Sequence, residues 1–217
     1  MAHFDTFLFD LDGTLLDTLE DLAAAANYAL RAMGWPARTV EEVRQFVGNG
    51  VALLIDRAAP AGTSPEERAE CLALFKARYA AHRADATSPY PGIPEALAAL
   101  RAGGCKLAVC SNKFDAAVKD LVRDFFPGLV DAAAGENEGA GIPKKPHPAM
   151  VDKLLRELGA SREGAVYVGD SDVDIATAKN AGLPCISVTW GFRDRAFLLK
   201  HGADTLIDSP EELVEFL

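Results

Sequence analysis

Hydrophobic positions form short continuous runs that alternate with longer amphipathic segments along most of the chain. Such short runs predict strands that are buried on both faces, as in a parallel sheet. They cover residues 4–9, 106–110, 130–134, 165–168, 185–188 and 205–207. Helical spacing is present at residues 93–102, 115–126, 148–158, 173–181 and 210–216. Alternating strands and helices are typical of an α/β fold with a Rossmann-like parallel sheet.

One region departs from this alternation and predicts helices alone. Capping-box patterns, which mark helix N-termini, are present at Thr18, Thr39 and Ser64. Apolar residues at helical spacing follow each of them, and residues 51–55 carry a further helical pattern. We therefore expect four helices between the first strand and the rest of the sheet.

This insertion predicts the domain organisation. Pro and Gly residues at 89–92 mark the return of the chain to the sheet. We expect an α/β catalytic core made of residues 1–16 and 89–217. The all-helical cap inserted in it would span residues 17–88.

The composition is that of an ordinary globular protein with an acidic balance. Of the 217 residues, 49% are hydrophobic and 25% are charged, which excludes a disordered chain. The net charge of -10 argues against a nucleic-acid partner, because such binding depends on neutralising phosphates. No apolar stretch approaches the ~18 residues that span a bilayer, and no signal-peptide pattern is present. We expect no membrane partner and a cytoplasmic location.

Two acidic residues, Asp10 and Asp12, directly follow the first predicted strand. Ligands of open α/β sheets bind at the carboxyl ends of the strands. A carboxylate at this place can be the nucleophile of a phosphoryl transfer, which forms an aspartyl-phosphate that water then opens. Since Asp and Gly are also common turn residues, an acidic turn is the alternative interpretation.

Another pair of carboxylates, Asp170 and Asp174, follows the predicted strand at 165–168. Carboxylates without His or Cys suit Mg²⁺, which binds one or two of them together with substrate phosphate oxygens. A calcium loop of the EF-hand type is excluded, because it needs Gly and Glu where this chain has Ile175 and Ala181. Capping of the following helix by Asp170 or Ser171 is the alternative.

Polar residues also follow two further apolar segments. Ser111 and Asn112 come after the strand at 106–110 and would offer a hydroxyl and backbone amides to phosphate, unless they only cap a helix. Lys145 precedes Pro146 and would be a counter-charge to phosphate, unless it is an ordinary solvated lysine. Because these segments belong to one predicted sheet, we expect them to meet at one edge.

Taken in order, these segments resemble the four motifs of the haloacid dehalogenase superfamily of phosphohydrolases. The matching stretches are DLDGTL from Asp10, SN from Ser111, KKPHP around Lys145 and VGDSDVD around Asp170. The inserted helices match as well. The segments DLDGTLLDTLEDLAAAANYAL, VGNGVALLIDRA and VTWGF are similar to the phosphoglycolate phosphatase branch, which has much in common with pyrophosphatases and sugar-phosphate phosphatases.

This resemblance implies a role for each matching residue. Asp10 would attack phosphorus, and Asp12 would protonate the leaving oxygen and then activate water. Ser111 and the backbone of Asn112 would bind the phosphoryl oxygens. Lys145 would neutralise charge on Asp10 and on the phosphate.

The resemblance also implies a Mg²⁺ cofactor. Asp10, the carbonyl of Asp12 and Asp170 would bind the ion, and Asp174 would be a further ligand or a support for one. Thr14 favours hydrolysis, because related phosphoglucomutases often carry a bulkier apolar residue there.

The expected function is a Mg²⁺-dependent phosphomonoester hydrolase with an aspartyl-phosphate intermediate. Its partner would be a small phosphorylated metabolite, with 2-phosphoglycolate as the leading substrate and pyrophosphate, sugar phosphates or nucleotides as alternatives. Asn49 in the cap would help to select it, unless Gly48-Asn49-Gly50 is only an interhelical loop. A receiver-like signalling domain is the alternative of another class, but such domains lack an inserted cap. We expect a monomer or a weak homodimer.

Overall fold

The computed structural model describes residues 3–137, 139 and 141–217. It divides the chain into two compact units. Met1–Leu16 and Pro89–Leu217 make up the first unit, which contains the parallel sheet, and Asp17–Ser88 make up the second, which is helical.

The strands are short and mostly buried. They are β1 (Thr6–Phe9), β2 (Leu16–Asp17), β3 (Ser88–Pro89), β4 (Lys106–Phe114), β5 (Ala132–Glu136), β6 (Ala165–Gly169), β7 (Cys185–Val188) and β8 (Thr205–Ile207). Six of them form a parallel sheet in the order β5-β4-β1-β6-β7-β8, whereas β2 pairs with β3. The central position of β1, between β4 and β6, makes this part of the sheet its topological switch point.

Helices cover both faces of the sheet and form the second unit. They are α1 (Leu19–Ala32), α2 (Val40–Phe46), α3 (Val51–Ala58), α4 (Pro65–His82), α5 (Ile93–Ala102), α6 (Asp115–Phe125), α7 (Ala149–Leu158), α8 (Asp172–Ala181) and α9 (Arg195–Lys200). Phe7 and Phe9 of β1 pack with α5 and α6 on one face, and Leu8 packs with α7 and α8 on the other. The predicted α/β class is therefore confirmed.

Two local predictions for the first unit are corrected, and one helix was not predicted. β4 continues past Cys110 to Phe114 through a shift in its register with β5, so Ser111 and Asn112 extend a strand. The segment Pro210–Phe216 is a 3-10 helix, because its hydrogen bonds span three residues, as from the Glu212 N–H to the Ser209 carbonyl. The helix α9 was not predicted, because six residues are too few to show a period.

The capping predictions for the second unit hold at two helices out of three. Thr39 and Ser64 cap α2 and α4 with complete capping boxes. The expectation for Thr18 is wrong, because its side chain makes no capping hydrogen bond at α1. Asp21, the acidic member of that pattern, instead accepts hydrogen bonds from the Ala86 N–H and from the N–H and hydroxyl of Thr87.

These bonds predict that Asp21 stabilises the second unit, because Asp21 is buried and its replacement leaves buried donors unsatisfied. We expect Asp21→Ala to lower the free energy of unfolding by about 2 to 3 kcal/mol in urea denaturation. Glu20→Gln, at the exposed neighbouring position, is the matched control and should change it by less than about 0.5 kcal/mol. Equal effects of the two substitutions would contradict this account.

Candidate active site

The candidate residues lie at the carboxyl ends of three neighbouring strands. Phe9 of β1 is in register with Val109 of β4 and with Val168 of β6. Asp10 therefore lies just beyond the end of β1, at the same height in the sheet as the residues of β4 and β6 that lead to Ser111 and Asp170. Parallel pairing thus brings together segments that are 59 or more residues apart in sequence, as ligand sites of α/β sheets require.

Asp10, Asp170 and Asp174 form a buried acidic cluster. One carboxylate oxygen of each residue lies within 4.8 Å of those of the other two. Burial, together with repulsion from Asp174, raises the pKa of Asp10 well above its usual value. The same causes raise the pKa of Asp170 to about 7. Three carboxylates this close cannot all remain ionised unless cations offset their charge.

Lys145 supplies one of these cations. Its Nζ lies 2.9 Å from Asp10 Oδ1 and 2.8 Å from Asp174 Oδ1, and it also donates to the Tyr167 hydroxyl at 3.1 Å. Burial on its own lowers the pKa of Lys145, but attraction to Asp10 and Asp174 outweighs it and raises the pKa above the ordinary value. Lys145 is therefore charged, and the interpretation as a solvated surface lysine is excluded.

The side chain of Asn112 fixes the backbone of Lys145. Its amide group donates to the Lys145 carbonyl at 3.1 Å, and its carbonyl oxygen accepts from the Lys145 N–H at 2.7 Å. Sequence reasoning assigned only the Asn112 backbone, to phosphate. This two-way contact connects the end of β4 to the segment before α7, and it was not predictable because the two segments are distant in sequence.

Asp170 is held by hydrogen bonds from two directions. The Thr14 hydroxyl donates to its Oδ1 at 3.2 Å, and the Phe192 N–H donates to its Oδ2 at 2.7 Å. Between Phe192 and β7, Gly191 packs so closely that an added Cβ would lie 2.3 Å from both Asp170 Cβ and the Gly13 carbonyl oxygen. Sequence reasoning quoted this loop without assigning it a function, and Gly191 was the available signal of close packing.

Asp174 uses both carboxylate oxygens in contacts with the protein. Oδ1 accepts from Lys145, and Oδ2 accepts from the Ser171 hydroxyl at 2.6 Å and from its N–H at 3.1 Å. Ser171 is the N-cap of α8, so the capping interpretation applies to Ser171 while Asp170 lies before the helix. Engagement of both oxygens favours a supporting role for Asp174 over direct binding of a metal ion.

Asp12 contacts a second buried lysine. Its Oδ1 lies 2.8 Å from Lys113 Nζ, and the Ser111 hydroxyl accepts a hydrogen bond from the Lys113 N–H at 3.2 Å. Sequence reasoning did not assign Lys113 a function, because a lysine near a helix start is usually solvated.

Asn49 belongs to the second unit, where its side-chain oxygen accepts a hydrogen bond from Arg57 at 2.9 Å.

The donor set of the acidic cluster fits a hard divalent cation. Its three carboxylates are buried together, and hard cations such as Mg²⁺ prefer oxygen ligands. The raised pKa values of Asp10 and Asp170 show that these groups are not fully compensated by Lys145 alone.

The fold and this site define a protein of the α/β class with carboxylates at the switch point of its sheet. The family model of the haloacid dehalogenase-like hydrolases matches residues 7–188. The chain belongs to this family, and it is a phosphatase, as predicted.

Individual relatives match almost the whole chain. The phosphoglycolate phosphatase of Cereibacter sphaeroides is 38% identical over 217 residues, 97% of each chain. A protein from Lactobacillus delbrueckii subsp. bulgaricus whose crystal structure is known is 39% identical to this chain. The two structures have a TM-score of 0.94, and 99% of both chains is covered. A variant of CbbY from Rhodobacter sphaeroides, in complex with xylulose-(1,5)bisphosphate, has 29% identity and a TM-score of 0.76, with 96% of both chains covered.

Among the described residues, no helix combines the length and the apolar character that crossing a bilayer needs.

The raised pKa of Asp170 predicts how stability depends on pH in the metal-free protein. Between pH 3.8, the ordinary pKa, and about 7, the folded protein holds a proton that the unfolded chain has released. Stability therefore rises as the pH falls through this window, and Asp10 acts in the same direction. We expect a higher Tm in EDTA at about pH 5.5 than at about pH 8.

Substitutions within the same motif separate this effect from other titrating groups. Asp170→Asn should reduce the pH dependence of the Tm, because an amide does not titrate. Asp172→Asn is the control, since Asp172 lies outside the acidic cluster. An unchanged pH dependence in Asp170→Asn would show that another group is responsible.

Proposed function

We propose that this chain is a Mg²⁺-dependent phosphomonoesterase that forms an aspartyl-phosphate on Asp10. The observation that carries the proposal is the position of Asp10, which follows the central strand and shares Lys145 with Asp174. The Leu11 N–H and Lys145 both donate to Asp10 Oδ1, so the carboxylate is fixed and the raising of its pKa by burial is opposed. A bound divalent cation would favour its ionised form further. A fixed, ionised carboxylate beside a cation suits attack on phosphorus.

The reaction needs two proton transfers, which we assign to Asp12. As Asp10 bonds to phosphorus, the ester P–O bond breaks and protonated Asp12 gives its proton to the leaving oxygen. Asp12 then takes a proton from water while the water oxygen bonds to phosphorus. Phosphate leaves, the Asp10 carboxylate is restored and Asp12 is protonated again. The side chain of Asp12 lies outside the acidic cluster, which supports a role for its carboxyl group separate from metal binding.

Asp10, the Asp12 carbonyl and Asp170 would hold Mg²⁺, with Asp174 as their support. The bound ion would supply positive charge to the phosphoryl oxygens. The three carboxylates of the acidic cluster carry a formal charge of −3 when ionised, and Lys145 carries +1. The remaining −2 equals the charge that a divalent cation offsets, which supports the assignment.

Ser111 and Asn112 would bind the phosphoryl group. Both are buried in the extension of β4 beside the acidic cluster, Ser111 with a hydroxyl and Asn112 through its backbone. The side chain of Asn112 is engaged with Lys145, so only its backbone is assigned to phosphate.

The relatives support 2-phosphoglycolate as the leading substrate. Several phosphoglycolate phosphatases are similar over nearly the whole chain, including that of Pseudomonas aeruginosa, with 33% identity over 95% of this chain and 77% of its own. The CbbY complex keeps a sugar phosphate as the second candidate. We propose that the unit Asp17–Ser88 is the cap that selects between them, with Asn49 as one selecting residue.

Phosphate release from a panel of esters tests this function. The panel contains 2-phosphoglycolate, a sugar phosphate, a nucleoside monophosphate and pyrophosphate, each with Mg²⁺ and with EDTA. We expect turnover with Mg²⁺ only, highest kcat/KM for 2-phosphoglycolate, and a loss of about 10³-fold or more in Asp10→Asn. Asp172→Asn should retain activity.

Each outcome of the panel bears on a different part of the proposal. Preference for another ester would keep the mechanism and reject the substrate. Full activity in EDTA would reject the metal, and full activity of Asp10→Asn would reject the nucleophile.

A further inference from the structure

The second buried lysine of the site contacts the residue to which we assign both proton transfers. Lys113 Nζ lies 2.8 Å from Asp12 Oδ1, and the side chains are 2% and 12% exposed, respectively. We propose that Lys113 is a positioning residue that holds the Asp12 carboxyl group where it exchanges protons with the leaving oxygen and with water. This inference rests on the proposed function, because it assigns a partner to its acid and base.

Two contacts fix Lys113 at its two ends. Its backbone N–H donates to the Ser111 hydroxyl at 3.2 Å, and its ammonium group pairs with Asp12. The extension of β4 beyond Cys110 carries this lysine into the site. A lysine is rarely buried unless it is paired, so the ion pair explains why this long side chain is not solvated.

The two buried lysines serve different carboxylates. Lys145 contacts Asp10 and Asp174, whereas Lys113 contacts Asp12. Asp12 follows β1 on a loop, where an unpaired carboxylate would sample several rotamers. General acid catalysis requires the proton donor within hydrogen-bond reach of the leaving oxygen, so restricting these rotamers assists both steps.

Direct contact of Lys113 with the substrate is the competing role. The short contact with Asp12 favours action through Asp12, although the ammonium group has two further N–H donors. The two roles differ in one measurable respect. A residue that acts through the proton donor matters most for esters whose leaving group needs a proton, whereas a phosphate contact matters for all esters alike.

The experiment compares two esters in the first turnover, with Mg²⁺ present. One is 4-nitrophenyl phosphate, whose leaving group departs without a proton, and the other is the best alkyl phosphate of the panel. Lys113→Met should slow release of the alcohol by about 10²-fold. It should slow release of the nitrophenol by about tenfold at most. Lys113→Arg should recover much of this loss because it keeps the charge.

A double-substitution cycle tests whether Lys113 acts through Asp12. The cycle uses steady-state turnover of 4-nitrophenyl phosphate, in which Asp12 is still needed to activate water. Once Asp12→Asn has removed this group, adding Lys113→Met should cause little further loss. Lys119→Met is the matched control and should behave as the native protein, because Lys119 is an exposed lysine of α6 paired with Asp115. Thermal unfolding of every variant accompanies the kinetics.

The outcomes separate this inference from the proposed function. Equal losses of Lys113→Met on the two esters, with or without a lowered Tm, would overturn the positioning role alone. Multiplicative losses in the double variant would overturn it as well, because Lys113 would then act independently of Asp12. Absence of turnover in the native protein would overturn the proposed function and this inference together.

Discussion

Compensation of buried negative charge is the constraint on which this site depends. Asp10, Asp170 and Asp174 are packed within a few ångströms of one another, where water cannot screen their repulsion. Lys145 bridges two of them, and its own burial is tolerable only because both partners are present. Removal of one member of such a network leaves the others with an unbalanced buried charge. The remaining negative charge favours a divalent cation, so the arrangement of charges at this edge fits a hard metal ion.

The sheet topology makes this compensation possible. Because β1 lies between β4 and β6, the residues that follow these strands meet without long connecting loops. Contacts between loops then fix each charged group. Asn112 holds the backbone of Lys145, and the Phe192 N–H holds Asp170. The buried carboxylates are therefore positioned by contacts between the segments that follow the strands, and such preorganised charge is what the proposed catalysis requires.

Sequence patterns were sufficient to predict the features of the molecule that depend on the local order of residues. Continuous apolar runs identified the strands of the large sheet, and the acidic residues after them identified the site edge. Partners that depend on the folded chain were not predictable. In the sequence Lys113 has the features of a surface lysine, because its contact with Asp12 is formed only in the folded chain. Phe192 contributes a backbone N–H, which leaves no signature in a side-chain pattern. The capping expectation at Thr18 failed for the same reason, since Asp21 has partners at residues 86–87.

The stereochemical course at phosphorus tests the central claim, that Asp10 forms a covalent intermediate, most directly. The substrate is a phosphorothioate monoester made chiral at phosphorus with two oxygen isotopes. It is hydrolysed in water that carries the third isotope, and the configuration of the released inorganic thiophosphate is determined. Each in-line displacement inverts phosphorus, so transfer first to Asp10 and then to water predicts overall retention. Inversion would show that water attacks the ester directly, and it would contradict the role assigned to Asp10 whatever the substrate preference proves to be.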